Sequence, residues 1–148
     1  MLTQLKLANF KNYSTANVGF DQKVNIIYGD NGSGKTNILD AMHFLSVSKS
    51  YFGLTDKYLI KDEEDFFRIE GYYKNDGKRD HLVIKYKRQA KRDIVLNTKK
   101  LARVNDLIGR YPVVLIAPDD INIVKGGSKD RRDYFNKWLC QSDPKYLA

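Results

Sequence analysis

Val24-Asn25-Ile26-Ile27-Tyr28-Gly29-Asp30-Asn31-Gly32-Ser33-Gly34-Lys35-Thr36-Asn37-Ile38-Leu39-Asp40-Ala41-Met42 is the stretch that decides the fold. Its first five residues are a short apolar run that stops at a glycine, which reads as a buried strand. Its last residues change period. Ile38, Ala41, Met42 and Leu45 recur at helix spacing through about Ser48. Between the two, Gly29, Asp30, Asn31, Gly32, Ser33, Gly34, Lys35 and Thr36 match G-x-x-x-x-G-K-[ST] at every fixed position. Strand, glycine-rich loop and helix, in that order, form the context in which the pattern has physical meaning. Glycines let the backbone turn tightly and approach an anion without a side-chain clash. Successive N–H groups at a helix start aim partial positive charge at phosphate. In such a loop the Lys35 ammonium reaches β- and γ-phosphates, and the Thr36 hydroxyl sits on Mg²⁺. Nothing in the loop separates ATP from GTP.

Upstream, Leu5 and Leu7 alternate within Leu2 to Phe10, which is strand period, and Thr15 to Phe20 can pair with it across the turn-prone Lys11 to Ser14. Downstream, Lys49 to Asp65 is polar and irregular. Phe66 to Lys74 and His81 to Arg88 flank Asn75-Asp76-Gly77-Lys78, a hairpin signal, and Arg92 to Leu96 reads as the third strand of a meander. Val104 to Ile108 reads as a short helix stopped by Gly109. Val113 to Ala117 reads as a second buried strand, broken by Pro118. A helical turn follows from Asp119 to Val124. Ser128 then suits the N-cap of a helix from Lys129 to about Gln141, with Tyr134, Phe135, Trp138 and Leu139 as its core-facing stripe. The expected class is α/β: a phosphate-loop nucleotide-binding fold with a mixed sheet and an antiparallel meander at about 66–96, inserted after the first helix.

The 148 residues suffice for one domain or part of a larger one. Lys plus Arg number 26 against 18 Asp plus Glu, a net charge of +8, which raises the expectation of nucleic acid or acidic surfaces as partners. The longest strongly apolar run, Val113 to Ala117, is far short of the about 20 residues of a membrane span. The N-terminus lacks the blocks of a secretory signal. A single cysteine, Cys140, excludes an internal disulfide, and with His43 and His81 alone beside it a Cys/His zinc site is not expected. Cys140 reads as a plain helix residue. The cytoplasm is the expected compartment.

Taken together, these blocks resemble the RecF DNA-repair ATPases, relatives of the SMC proteins in the ABC-type ATPase class. The resemblance runs through Leu5 to Tyr13, the glycine-rich loop and Asn37 to Ala41, Lys49-Ser50, the Asn97 turn, Val114 to Asp120, Val124 to Gly127 with Arg131-Arg132, then Gln141, Pro144 and Tyr146-Leu147. It departs at Asp40 (usually glutamate), near Phe52 (usually a basic residue), at Ser128 (usually proline) and at Asn136 (usually aspartate). It implies an ABC/SMC-type head of which residues 1–148 are the N-terminal lobe. The helical arm, signature motif, acidic metal-binding strand and catalytic glutamate would lie in a longer chain.

Functionally, the resemblance implies a weak DNA-dependent ATPase that binds ATP with Mg²⁺ and forms an ATP-dependent homodimer. Such a protein engages gapped or junction DNA and, with RecO and RecR, assists RecA loading in recombinational repair and replication restart. It adds Asn37 to the nucleotide site and puts Lys11 and Asn12 near it, with an ordinary exposed turn as the alternative for that pair. Asp119 and Asp120 follow an apolar run as a metal-binding acid would, but Pro118 intervenes, so they read as loop or capping residues. The chain alone is expected to bind nucleotide weakly without hydrolysing it.

Lys85, Lys87, Arg88, Lys91 and Arg92, with Lys99, Lys100 and Arg103 after them, form a candidate DNA-binding patch whose affinity would fall steeply with salt. The alternative is a solvated hairpin face. Arg131-Arg132 is a separate pair at a helix start. Two rival readings remain at this level: a nucleic-acid-binding module with a silent nucleotide site, and the ATPase head of an overcoming-lysogenisation-type nuclease.

Overall fold

Alternation with period two makes the first strand. In β1 (Leu2–Phe10) Leu5 and Leu7 turn inward at alternate positions, and Phe10 is buried beside them where Asn9, at a φ of 51°, breaks the period. β2 (Tyr13–Gly19) folds back on it, with Leu5 opposite Val18 and Leu7 opposite Ala16. The structure is a computed structural model that describes residues 1–75, 77–143 and 146. After the loop, α1 (Lys35–Val47) runs to Ser48, which adopts a left-handed conformation and ends the helix. β3 (Phe66–Asn75) and β4 (Lys78–Lys87) form the expected hairpin, paired from Phe66–Lys87 to Asn75–Lys78. Asp76 of its turn lies outside the described residues. β5 (Asp93–Leu96) completes the expected meander, and β6 (Lys99–Lys100) adds a short edge that periodicity did not show.

The sheet order is β2-β1-β3-β4-β5-β6, and every pairing is antiparallel. One face packs on α1. Phe44 meets Phe67 edge-on at 5.6 Å, and Phe67 meets Phe10 at the same distance. Gly71 permits this closeness: a β-carbon there would lie 2.8 Å from Leu45 Cδ1. Leu59 and Ile60, from the irregular segment after α1, fill the same core, where Ile60 bridges to Phe10. The opposite face of the sheet is exposed.

Four expectations are corrected. Val24–Tyr28 forms no strand and lies outside the sheet, with Val24, Ile26 and Tyr28 exposed at 77%, 80% and 88%. Val113–Ala117 is likewise unpaired, with Ile116 exposed at 77%. A run that is apolar on both faces needs neighbours on both sides, and among the described residues no strand lies beside either run. The mixed sheet is therefore not completed here, and the antiparallel part stands alone. α3 (Ser128–Ser142) exists, but Phe135, Trp138 and Leu139 of its expected core stripe face solvent. Finally, Ser128 is the first helical residue and not the cap. Gly127 occupies the N-cap, and the Asp130 carboxylate accepts its N–H at 2.9 Å.

α3 is held to the body largely through Gln141. Its carboxamide clasps both polar groups of the Val113 peptide, accepting from the N–H at 2.9 Å and donating to the carbonyl at 3.2 Å. It also accepts from Ser46 on α1. The short helices fall near expectation: a 3₁₀ turn at Val104–Asp106 before left-handed Gly109, another at Pro118–Ile121, and α2 (Asn122–Lys125). Pro144 and Leu147 of the family blocks lie outside the described residues, as does the Asp119 side chain. Among the described residues no helix is long and apolar enough to cross a membrane.

Candidate nucleotide site and basic surface

The glycine-rich loop leads from exposed Tyr28 into the first turn of α1. Gly29, Gly32 and Gly34 all have positive φ, at 146°, 82° and 100°. Gly34 is the N-cap, so no side chain caps the helix. The first N–H groups of a helix have no intrahelical acceptor and carry its positive pole. This end of α1 is therefore open to an anion. Ser33 donates its backbone N–H to Asp30 at 3.2 Å, and Asn37 donates to Gly34 at 2.8 Å, which closes the loop on itself.

Lys35 folds back over the loop. Its ammonium donates to the carbonyls of Gly29 at 2.8 Å and Asp30 at 2.7 Å. Thr36 stands exposed on the first turn. The β1–β2 turn buttresses the loop from behind. Asn12 donates from Nδ2 to the Ser33 carbonyl at 3.2 Å and accepts from Asn37 Nδ2 at 2.8 Å, while the Tyr13 hydroxyl reaches the same carbonyl at 3.5 Å. Sequence reading did not single out Tyr13, although it stands in the block that carries Asn12.

Lys11 points elsewhere. Its ammonium makes an ion pair at 2.5 Å with the fully buried Asp40 of α1. Asp40 also accepts from the Ser50 hydroxyl at 2.9 Å and from the Tyr51 N–H at 2.7 Å. Of the pair Lys11-Asn12, then, Asn12 touches the loop and Lys11 locks α1 to the β1–β2 turn. Asp120 accepts from the Ala117 N–H at 2.7 Å and from the Tyr51 hydroxyl, the behaviour of a capping residue. Nearby, His43 contacts the Lys49 carbonyl through Nδ1 at 2.9 Å and packs edge-on against Tyr51. Burial holds its pKa below the ordinary histidine value, against the pull of that carbonyl and of Asp40.

The candidate DNA residues divide between two places. Lys85 and Lys87 lie on the exposed face of β4, and Arg88 and Lys91 are exposed in the turn after it. Arg92 is turned inward. It grips Asp56 with Nε at 2.9 Å and Nη2 at 2.5 Å, donates to the Ser48 carbonyl, and lies 4.8 Å from the Phe44 ring centroid. It is a strut between β5 and the end of α1, because a buried guanidinium is stable only where carboxylate and carbonyl acceptors surround it. Arg92 therefore leaves the DNA patch. Arg131 donates to the Gly126 carbonyl at 3.1 Å.

The model of the RecF/RecN/SMC N terminal domain matches residues 1–121. The chain belongs to this family. Within it, the chain is similar to the N-terminal portion of RecF. It is 36% identical to the DNA replication and repair protein RecF of Porphyromonas gingivalis, over 100% of this chain and 41% of that protein. It is 38% identical to the RecF of Bacteroides thetaiotaomicron, over 99% of this chain and 40% of that one. A solved structure of the recombination mediator protein RecF-ATP in the RecFOR pathway superposes with a TM-score of 0.91 at 31% identity, covering 99% of this chain and 39% of the other. The SMC head domain from Thermotoga maritima, 22% identical with a TM-score of 0.67, shares the fold. The chain thus spans about 40% of the length of the RecF proteins it matches. The RecF/SMC-head class expected from the sequence is the class found.

Proposed function

We propose that this chain forms the phosphate-binding part of a RecF-type, ATP-dependent DNA repair and replication protein. The observation that carries the proposal is the open N-terminus of α1 behind three positive-φ glycines, with Lys35 poised over it. Its likeness to a RecF solved with ATP supports ATP as the nucleotide. Asp30 to Gly34 supply backbone donors to the phosphates. The Lys35 ammonium exchanges two neutral carbonyls for phosphate oxygens, a stronger charge-assisted bond. Asn12 and Tyr13 hold the Ser33 peptide in place, and Asn37 is fixed through Asn12.

Mg²⁺ would arrive with the phosphates, where it neutralises their charge. Among the described residues no group of three His, Cys, Asp or Glu gathers to hold a metal ion, so Thr36 is the ligand the chain offers. With Asp120 engaged as a cap, we propose that this chain binds nucleotide without turning it over. In the longer protein, ATP-driven homodimerisation, DNA engagement and cooperation with RecO and RecR in RecA loading complete the proposal.

The test is a titration of a fluorescent ATP analogue with Mg²⁺ into the chain and its Lys35→Ala variant, with circular dichroism confirming that both are folded. Loss of the lysine bonds should weaken binding by roughly 10- to 150-fold, the equivalent of about 1.5–3 kcal/mol. Equal affinity of the two chains would overturn the site. Steady phosphate release that disappears with Lys35→Ala would overturn the claim that turnover is absent.

A further inference from the structure

The exposed face of the sheet is built from residues that alternate with the core. Leu5, Leu7, Ile69, Leu82 and Ile84 point to α1, so their neighbours Lys6, Arg68, Lys85 and Lys87 point away from it. Antiparallel register then brings like charges together. Arg68 stands directly opposite Lys85, and Lys74 directly opposite Arg79. Like charges facing each other across strands destabilise a sheet. Two such pairs on one face are a standing repulsion.

The acids on this face, Glu70 and Asp93, offset only part of it. Glu70 is shared among Arg68 at 3.0 Å, His81 at 2.7 Å and, by register, Lys6. Asp93 stands directly opposite Lys85 by register and also pairs with Lys100, so one carboxylate serves two cations. Lys87 has Phe66 opposite it. The face thus carries a surplus of positive charge spread over adjacent strands about 4.8 Å apart, with Lys85 and Lys87 about 6.6 Å apart along one of them.

Its aromatic groups are already engaged. Tyr72 stacks on His81 at 4.3 Å and 11°, and the Lys6 ammonium lies 5.1 Å from the Tyr72 ring centroid. The Lys85 ammonium lies 5.4 Å from the centroid of Phe66. A base stacking here would have to displace these contacts. A phosphate has only to approach the cations.

We propose that the outer face of the sheet, centred on Lys6, Arg68, Lys85 and Lys87, is a surface for the phosphate backbone of duplex DNA. It reads charge and not base sequence. The proposal rests on the DNA reading given above and names its surface. It draws in Lys6 and Arg68 from other strands and leaves out Arg92, which neither spacing nor charge count could do.

The test is fluorescence anisotropy with a labelled duplex, titrated with salt. We compare wild type, an Arg68→Gln/Lys85→Gln/Lys87→Gln variant, and an Arg88→Gln/Lys91→Gln variant of the adjacent turn. Each phosphate contact contributes about 0.9 to the log–log salt slope. The face variant should therefore lose about 2.7 of slope, and the turn variant should lose less. A face variant with the wild-type slope, or a larger loss in the turn variant, would overturn this surface and leave the DNA reading standing. Absence of any duplex binding by wild type would overturn both. A single strand bound more tightly than the duplex would overturn the backbone assignment. Folding has its own readout: Arg79→Gln removes the repulsion with Lys74 opposite it, so its thermal midpoint should equal or exceed that of wild type. A lower midpoint would contradict the repulsion on which the proposal is built.

Discussion

At Gly34 a β-carbon would lie 2.5 Å from Asn12 Nδ2 and 2.9 Å from the Tyr13 hydroxyl, at a φ of +100°. Gly34→Ala is thus refused twice, by the backbone and by the turn behind it. It should abolish binding of the ATP analogue, and a variant that binds with wild-type affinity would show that the loop is not held by Asn12. Asp40 is a second residue with a definite cost. It is fully buried and its partner Lys11 is nearly so. Removing one member of such a pair leaves the other charge stranded, so Asp40→Ala should lose about 3–5 kcal/mol in urea unfolding. Adding Lys11→Met should recover part of that loss. If the double variant is no more stable than the single one, the ion pair is not the source of the effect.

Among the elements, α1 depends on groups far from it in sequence. Arg92 before β5 caps its end through the Ser48 carbonyl and ties it to Asp56. Arg92→Ala should therefore cost about 2–3 kcal/mol in a denaturant melt, with the salt slope of duplex binding unchanged. A reduced slope with unchanged stability would return Arg92 to the DNA surface. The His43 side chain on α1 sets a pH dependence. Its folded pKa is held below its unfolded value, so the unfolded chain takes up the proton first as pH falls. Stability from this group is full above the unfolded pKa of about 6.5. It declines as pH drops through that value toward the folded one, then levels off. The fall in urea midpoint from pH 7.5 to pH 5.5 should shrink in a His43→Gln variant. Glu70 on β3 acts lower on the scale. Burial pushes its pKa up, but its bonds to His81 and Arg68 outweigh this and the net shift is down. Its contribution is present above the ordinary glutamate pKa and is lost as pH falls through the folded one.

For the whole molecule, two apolar segments and part of α3 remain uncovered. Val24, Ile26, Tyr28, Val114, Ile116 and Phe135 are all exposed. Apolar surface of this extent drives association. The chain by itself should bind a hydrophobic dye and scatter light increasingly with concentration. An Ile26→Glu/Ile116→Glu variant should scatter less at an unchanged thermal midpoint, since neither side chain contributes to the core. Unchanged scattering would locate the association elsewhere, with the basic face of the sheet the next surface to test at high salt.

What the sequence determined by itself is local. The alternation of Leu5 and Leu7, the turn between Asn75 and Lys78, the period of Ile38, Ala41 and Leu45, and the spacing of Gly29, Gly34, Lys35 and Thr36 each act within a few residues of one another. Strand, hairpin, helix and phosphate loop were therefore legible, and with them the family. Tertiary structure decided everything that depends on neighbours distant in the chain. Val24–Tyr28 and Val113–Ala117 have the composition of buried strands, yet a strand is buried only by what lies beside it. Arg92 resembled its basic neighbours until Asp56 and Ser48 closed around it. Lys11 and Asn12 are adjacent, but they diverge because Asp40 is buried on one side and Gly34 is bare on the other. Lys6, Arg68 and Lys85 form one surface only because strand register, a long-range property, sets them side by side.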